Sequence, residues 1–270
     1  MRTIRTLAVA AVTLAVAATP AAAHAQAPTA PVAYHGLTSA QQTQKFQELS
    51  GKGYTPVSLS ISSGPSYAGV WVKSSGPAWA MFQDMSAQGY QQRFNEYSAK
   101  GYQPTVVTAT GSGDAARFAA VFVKKSSDFL ARHNMTMDQL TSANLEAKAK
   151  GLMLTSIDVY GTAAAPTYAA IWTPNRSGVK WHVNYSLSTA DDSEAFKLRV
   201  ANGYRPAYVA VAPGGTFTTV WRQDKAGSWF EYTGMSSSGY QSRFNELMAK
   251  GYYPAQVNSE DGKYAAIWTN

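Results

Sequence analysis

One spacing constrains this chain more than anything else in it. An apolar residue followed by Ser or Thr stands at Leu37-Thr38, Met85-Ser86, Met135-Thr136, Leu187-Ser188 and Met235-Ser236, and each hydroxyl residue is followed fifteen positions later by a glycine: Gly53, Gly101, Gly151, Gly203, Gly251. A Ser or Thr side chain suits an N-cap, because its oxygen accepts from orphan amides of the first turn. Glycine suits the far end, because it enters the left-handed region without a steric cost. The spacing therefore predicts five copies of one helix of about four turns.

Side-chain patterns support five equivalent helices. Met85 with Tyr90, Met135 with Leu140 and Met235 with Tyr240 stand at the two ends of a hydrophobic staple, whereas the first and fourth copies carry Gln42 and Asp192 instead. Phe46, Phe94, Phe196 and Phe244 lie one turn further along the same stripe. Asn144 breaks that series, and Leu145 beside it is the expected partial replacement.

Each helix is flanked by strand signals. An aromatic-led segment precedes it (Trp79 to Phe82, Phe129-Leu130, Trp181 to Val183, Trp229-Phe230), with Pro31 predicting a short first strand in the first copy. After the glycine comes a proline at Pro56, Pro104, Pro206 and Pro254, then strands marked by Leu59, Val107, Ile157, Val209 and Val257. Gly-, Pro- or Asp-rich turns lead into Tyr67 to Val72, Phe118 to Val123, Tyr168 to Trp172, Phe217 to Trp221 and Tyr264 to Trp268. The expected fold is a mixed α/β (β-α-β-β) tandem repeat of five units, with periods of 48 to 52 residues between the stop glycines. Its strands are expected to form a meander across each repeat boundary, with the helices on one face of a long sheet that curves or closes into a ring. Fixed periods of this length belong to repeat architectures, in which one unit cannot bury its own apolar face.

Residues 1–25 read as a signal peptide: Arg2 and Arg5 form a basic start, Leu7 to Ala18 an apolar run, and Ala23-His24-Ala25 a small-residue cleavage site. Residues 26–30 form a tether, and 31–270 a single domain divided as 31–76, 77–126, 127–177, 178–226 and 227–270. The apolar run is too short for a membrane anchor, so no membrane span is expected. Of 23 basic residues two lie in the leader, leaving an excess of about five over the 16 acidic ones. No basic stripe accompanies that charge, which argues against a nucleic-acid partner. With no cysteine in the chain, a fold in an oxidising compartment rests on burial rather than disulfides.

The repeated Phe-Asn-Glu-Leu-x-Ala-Lys-Gly-Tyr-x-Pro (Phe244 to Pro254, and Phe94 to Pro104 with Tyr97 for Leu), followed by Tyr-Ala-Ala-Ile-Trp at Tyr264 to Trp268 and Tyr168 to Trp172, resembles the bacterial tandem-repeat domain found beside β-lactamase-like serine hydrolases. It is similar too to the non-catalytic N-terminal domain of polyglycine hydrolases. The resemblance spans nearly all of 31–270 and implies an accessory domain serving recognition or support.

The catalytic half of such a pairing is not evident in the sequence. A β-lactamase-type nucleophile needs Ser and Lys on one helix face and a Lys-Thr-Gly-like strand. The only Ser-x-x-Lys, Ser177 to Lys180, follows Pro174-Asn175 in an expected turn, and no Lys-Thr-Gly exists. Glu48, Glu96, Glu146 and Glu246 recur at one helix position, which places them far apart on solvated faces. Asp191, Asp192 and Glu194 open the fourth helix, where negative charge offsets the macrodipole. Trp71, Trp172, Trp221 and Trp268, together with Trp79, Trp181 and Trp229, recur with the repeat and are expected in the core.

One polar set remains. His35, Gln83, His133, Tyr185 and Thr233 share a repeat position, followed by Gly36, Asp84, Asn134, Ser186 and Gly234. In a closed ring they converge near five helix N-termini, which makes His35, Gln83, Asp84, His133, Asn134 and Tyr185 the candidate ligand-binding residues. Two histidines without a third ligand do not meet a zinc pattern, and no cofactor or metal is expected. The sequence thus predicts a secreted or periplasmic, non-catalytic binding module for an extracellular polymer, peptide or protein. The alternative is a small serine-type hydrolase using Ser177 or the His35/His133 rim.

Overall fold

The computed structural model describes residues 30–270, so the leader and nearly all of the tether lie outside the described residues. The first unit runs β1 (Val32–Leu37), α1 (Ser39–Gly51), β2 (Tyr54–Ser62), β3 (Ser66–Lys73), and the second β4 (Trp79–Met85), α2 (Ala87–Ala99), β5 (Tyr102–Thr110), β6 (Arg117–Lys124). The third is β7 (Leu130–Met135), α3 (Met137–Ala149), β8 (Leu152–Gly161), β9 (Pro166–Pro174). The fourth is β10 (Lys180–Leu187), α4 (Thr189–Ala201), β11 (Arg205–Val211), β12 (Phe217–Gln223), and the fifth β13 (Trp229–Met235), α5 (Ser237–Ala249), β14 (Tyr253–Glu260), β15 (Lys263–Thr269).

The helix boundaries follow from the caps. Thr38, Ser86, Thr136, Ser188 and Ser236 each accept from the backbone amide three residues on, and Gln41 and Gln139 complete reciprocal capping boxes. The five stop glycines take φ between +66° and +78°, where a side chain is strained. At the two ends of the staple position, Gln42 and Asp192 are as buried as Tyr90, Leu140 and Tyr240, so the polar copies keep the geometry. β1 starts just after Pro31 and has six residues, as many as β7 and fewer than the seven or eight of β4, β10 and β13, so the first strand is short as expected.

The sheet expectation needs correction. Each unit makes its own three-stranded antiparallel sheet in the order first, third, second strand (β1-β3-β2 and its equivalents), and the leading strand pairs within its own unit instead of continuing a meander across the boundary. The five sheets are separate. The units nevertheless close into a ring: β2 neighbours β5, β5 neighbours β8, β8 neighbours β11, β11 neighbours β14, and β14 returns to β2.

Side chains explain why the inner strands sit edge to edge without forming one sheet. Ser58 and Ser60 accept from the Val257 and Ser259 amides, Ser156 from Val107, and Gln256 and Asn258 from Val209 and Val211. Thr108 accepts from the Ile61 amide. A polar side chain of one unit thus satisfies the exposed amide row of the unit before it, and an edge that would otherwise recruit another strand is capped.

Burial is shared across every boundary. Leu59 and Trp71 of the first unit pack with Met81, Val106 and Val121 of the second, and Ala68 and Val70 pack with Tyr240, Val257 and Trp268 of the fifth. Trp71, Trp172, Trp221 and Trp268 are fully buried. Helix phenylalanines join these indoles to the next unit: Phe46 meets both Trp71 and Trp79, and Phe196 both Trp221 and Trp229, edge to face. Asn144 does not hand its place to Leu145, which is exposed. It is itself buried, accepts from the Trp172 indole N–H at 2.8 Å and donates to Tyr185.

Candidate functional site

Ring closure does not bring the polar set together. Each member reaches the helix or sheet of the preceding unit, so the set is spread one per boundary. His35 bonds Gln241 Oε1 through Nε2 at 2.9 Å and stands edge-on to Tyr240 and Tyr264. Gln83 donates to the Ser39 carbonyl and to Thr43. Tyr185 accepts from Asn144, and Thr233 donates to Asp192. His133 lies edge-on to Tyr90 and Phe118, and burial pushes its imidazole below its usual pKa.

The residues that follow serve the backbone. Every leading strand carries a bulge there, and Gly36, Asp84, Asn134, Ser186 and Gly234 take φ between +48° and +71°. Gly, Asn and Asp tolerate that region best. Asp84 also accepts from Tyr67 Oη at 2.8 Å and Ser39 Oγ at 3.0 Å, and Asn134 Oδ1 accepts from Tyr160 Oη. His133 and Asn134 share a cavity of about 320 Å³ with Arg132, Gln91 and Gln139. Gln83 and Asp84 bond each other, and His35 stands with the fifth helix.

Ser177 is exposed in the turn between β9 and β10, beside Gly178 at φ +60°, so Lys180 does not share a helix face with it. The depression it borders, about 410 Å³, contains Lys125 and Arg176 but neither a histidine nor a carboxylate to act as a base. The four repeated glutamates stand on exposed helix faces. Each is clasped by two cations, as Glu48 is by Lys45 and Lys52, which holds their carboxyls below the usual range.

A cavity built by all five units lies at one end of the ring, where the turns after the inner strands meet. It measures about 590 Å³ and is lined by Ser63 to Pro65, Thr110, Gly111, Ala115, Arg117, Gly161 to Ala163, Pro213, Gly214, Glu260 and Asp261. Its turns are narrow for a reason. Asp261-Gly262, at φ +48° and +69°, closes a two-residue hairpin with Glu260 opposite Lys263, and a Cβ on Gly214 would lie 2.8 Å from that of Ala163.

Two carboxyls mark the axis below this mouth. Asp158 is buried and receives Thr108 Oγ1 (2.6 Å) and the Ala109 amide (2.7 Å) on Oδ2, and Asn258 Nδ2 (3.0 Å) and the Val159 amide (3.1 Å) on Oδ1. It therefore ties together the second, third and fifth units. Burial outweighs these donors and pushes its carboxyl up to about 6. Glu260, 4% exposed, accepts from Thr110 Oγ1 at 3.0 Å across the ring, while its Oε2 is buried with no hydrogen-bond partner. Burial first, then the charges of Asp158 and Asp261, push it up to about 8 against the opposing Thr110 bond and Ser63 amide. Asp261 at the rim accepts from Ser63 Oγ and the Gly214 amide. Arg117 turns back onto the Asp114 and Ala116 carbonyls.

In the sequence the residues of this mouth look like plain turns. A signal was present: polar residues alternate along strands otherwise read as core, as in Ser58-Ser60-Ser62 and Gln256-Asn258-Glu260. Among the described residues no group of three or more His, Cys, Asp or Glu is placed to hold a metal, and no helix is long and apolar enough to cross a membrane.

The model of the family described as "Polyglycine hydrolase-like, structural repeat" matches the chain five times, over residues 28–74, 76–125, 126–175, 178–224 and 226–270.

Proposed function

From the premise that this chain belongs to the polyglycine hydrolase-like structural repeat family in all five of its units, we propose that it is a non-catalytic binding module, exported through its N-terminal leader, which recognises an extracellular polymer or peptide at the axial mouth. The observation that carries this reading is the mouth itself, a cavity of about 590 Å³ to which every unit contributes a turn. A concave site with a few convergent polar groups on a rigid frame is what a recognition surface needs. Thr110, Glu260 and Asp261 offer hydrogen bonds to a ligand there.

The test is co-sedimentation of the purified chain with defined insoluble polymers and capture on immobilised peptide arrays, using wild type and Asp261→Lys, alongside turnover assays on ester, β-lactam and glycine-rich peptide substrates. The reading predicts retention by at least one polymer or peptide class, weakened by Asp261→Lys, with no turnover. Turnover abolished by Ser177→Ala or His133→Ala would overturn it in favour of a hydrolase. Export is tested by N-terminal sequencing of protein recovered outside the cytoplasm, with a start near Gln26 expected.

A further inference from the structure

We propose that the axial mouth is a binding site for a primary ammonium group, with Glu260 Oε2 as its acceptor and Asp261 and Thr110 beside it. This rests on the reading of the mouth as a recognition site and adds the chemistry of what it recognises.

Three independent observations converge on it. First, Glu260 lines the cavity yet is 4% exposed, and beside the nearby Ser63 amide its one hydrogen bond of good geometry runs from Thr110 to Oε1. The other, Oε2, is buried without a hydrogen-bond partner. Buried polar atoms are ordinarily paired, and one left unpaired in a residue that lines a cavity calls for a donor from outside. Second, the charges that act on Glu260 most strongly, Asp158 and Asp261, are both negative, while Lys263, opposite it in the hairpin, is exposed. Asp158 on β8 lies beneath it and Asp261 beside it in the same turn, and both raise its proton affinity. The one cation of the lining, Arg117 on β6, spends its Nη1 on its own loop carbonyls. A cleft lined by one sign of charge concentrates the opposite sign. Third, the four donors of Asp158 come from the protein itself, so that carboxylate is already satisfied and the open acceptor is Glu260.

An ammonium carries three donors, enough for Glu260 Oε2, an Asp261 oxygen and a turn carbonyl. Ligands able to present one are a peptide's free N-terminus or a lysine-type side chain. Burial pushes the Glu260 carboxyl up to about 8, so near neutral pH it must release its proton when the ammonium enters. Affinity is expected to rise roughly tenfold or more between pH 6 and pH 8. It falls again once the amine loses its own charge.

The experiment titrates the isotopically labelled full chain with n-propylamine and its neutral isostere n-propanol, following amide shifts of Thr110, Gly111, Gly161 and Asp261. Tri-alanine amide, free or N-acetylated, and N-acetyl-lysine amide separate the two sources. The amine, but not the alcohol, should shift the mouth signals, and Glu260→Gln should weaken it by roughly tenfold or more. Equal binding of amine and alcohol, or no shift with the amine at any pH, would overturn the assignment even if the variant failed to fold. If polymer or peptide retention persists in that case, the ammonium site falls and the binding-module reading stands; if retention is absent too, both fall.

Discussion

Thr108 donates its hydroxyl to Asp158 at 2.6 Å across the boundary between the second and third units, while the same Thr108 oxygen accepts the Ile61 amide of the first. One side chain thus spans two seams. The inner strands of this ring are joined by side chains doing what backbone pairing does in a continuous sheet.

Asp158 is the residue on which that arrangement depends most. Replacing it by Ala strips the acceptor from Thr108, Asn258 and two amides, all in the buried centre. The expected cost is about 3–5 kcal/mol, because several donors lose their partner at once. Urea unfolding of Asp158→Ala measures it, and a loss below about 1 kcal/mol would show that the axis relaxes around the change.

Glu260 imposes a pH dependence of opposite sense to the usual carboxylate. Its folded-state value, about 8, lies above its ordinary 4.5. The folded protein therefore holds the proton more tightly than the unfolded chain, so this contribution is full below pH 4.5 and is lost as pH rises toward 8. Glu260→Gln keeps the acceptor for Thr110 and cannot ionise. Its stability relative to wild type should rise by about 2–4 kcal/mol between pH 5 and pH 9. Melting temperatures of both proteins across that range test it, and parallel curves would contradict the assignment.

Asn144→Ala should cost about 2–3 kcal/mol, since it leaves the Trp172 indole N–H and the Tyr185 hydroxyl without the partner they share. Leu145→Ala, one position away and 66% exposed, should stay within about 0.5 kcal/mol of wild type. A reversed order in thermal denaturation would mean that the helix presents its other face to the core.

Trp268→Ala, at a fully buried site packed edge-on to Tyr232 and tilted against Tyr240, should cost about 3–5 kcal/mol. Loss of ligand retention with an unchanged melting temperature would instead make this indole a binding group.

What was legible in the sequence was what local chemistry dictates. The caps Thr38 to Ser236 and glycines Gly53 to Gly251 act within one helix, so spacing alone locates them. The pairing of β4 with β6 was not legible, because a strand preceding a helix and one following it look alike until the helix packs over both. The left-handed residues Asp84 and Asn134 read as site polarity for a similar reason: a conformational requirement and a chemical one select the same side chains. Glu260 was hidden because its role depends on Thr110, 150 positions away, which no local pattern connects to it.

The central claim is that the fifth unit returns to the first. Ser60 Oγ and Ser259 Oγ stand 3.4 Å apart across that seam, and the chain contains no cysteine to compete. A double Ser60→Cys, Ser259→Cys variant, folded and then oxidised, should form an intramolecular disulfide that raises electrophoretic mobility. Closing a loop of some 199 residues should stabilise the fold by about 4–5 kcal/mol. Two thiols that stay independently reactive with maleimide in the folded protein, or that pair only between molecules, would mean that the ring is open.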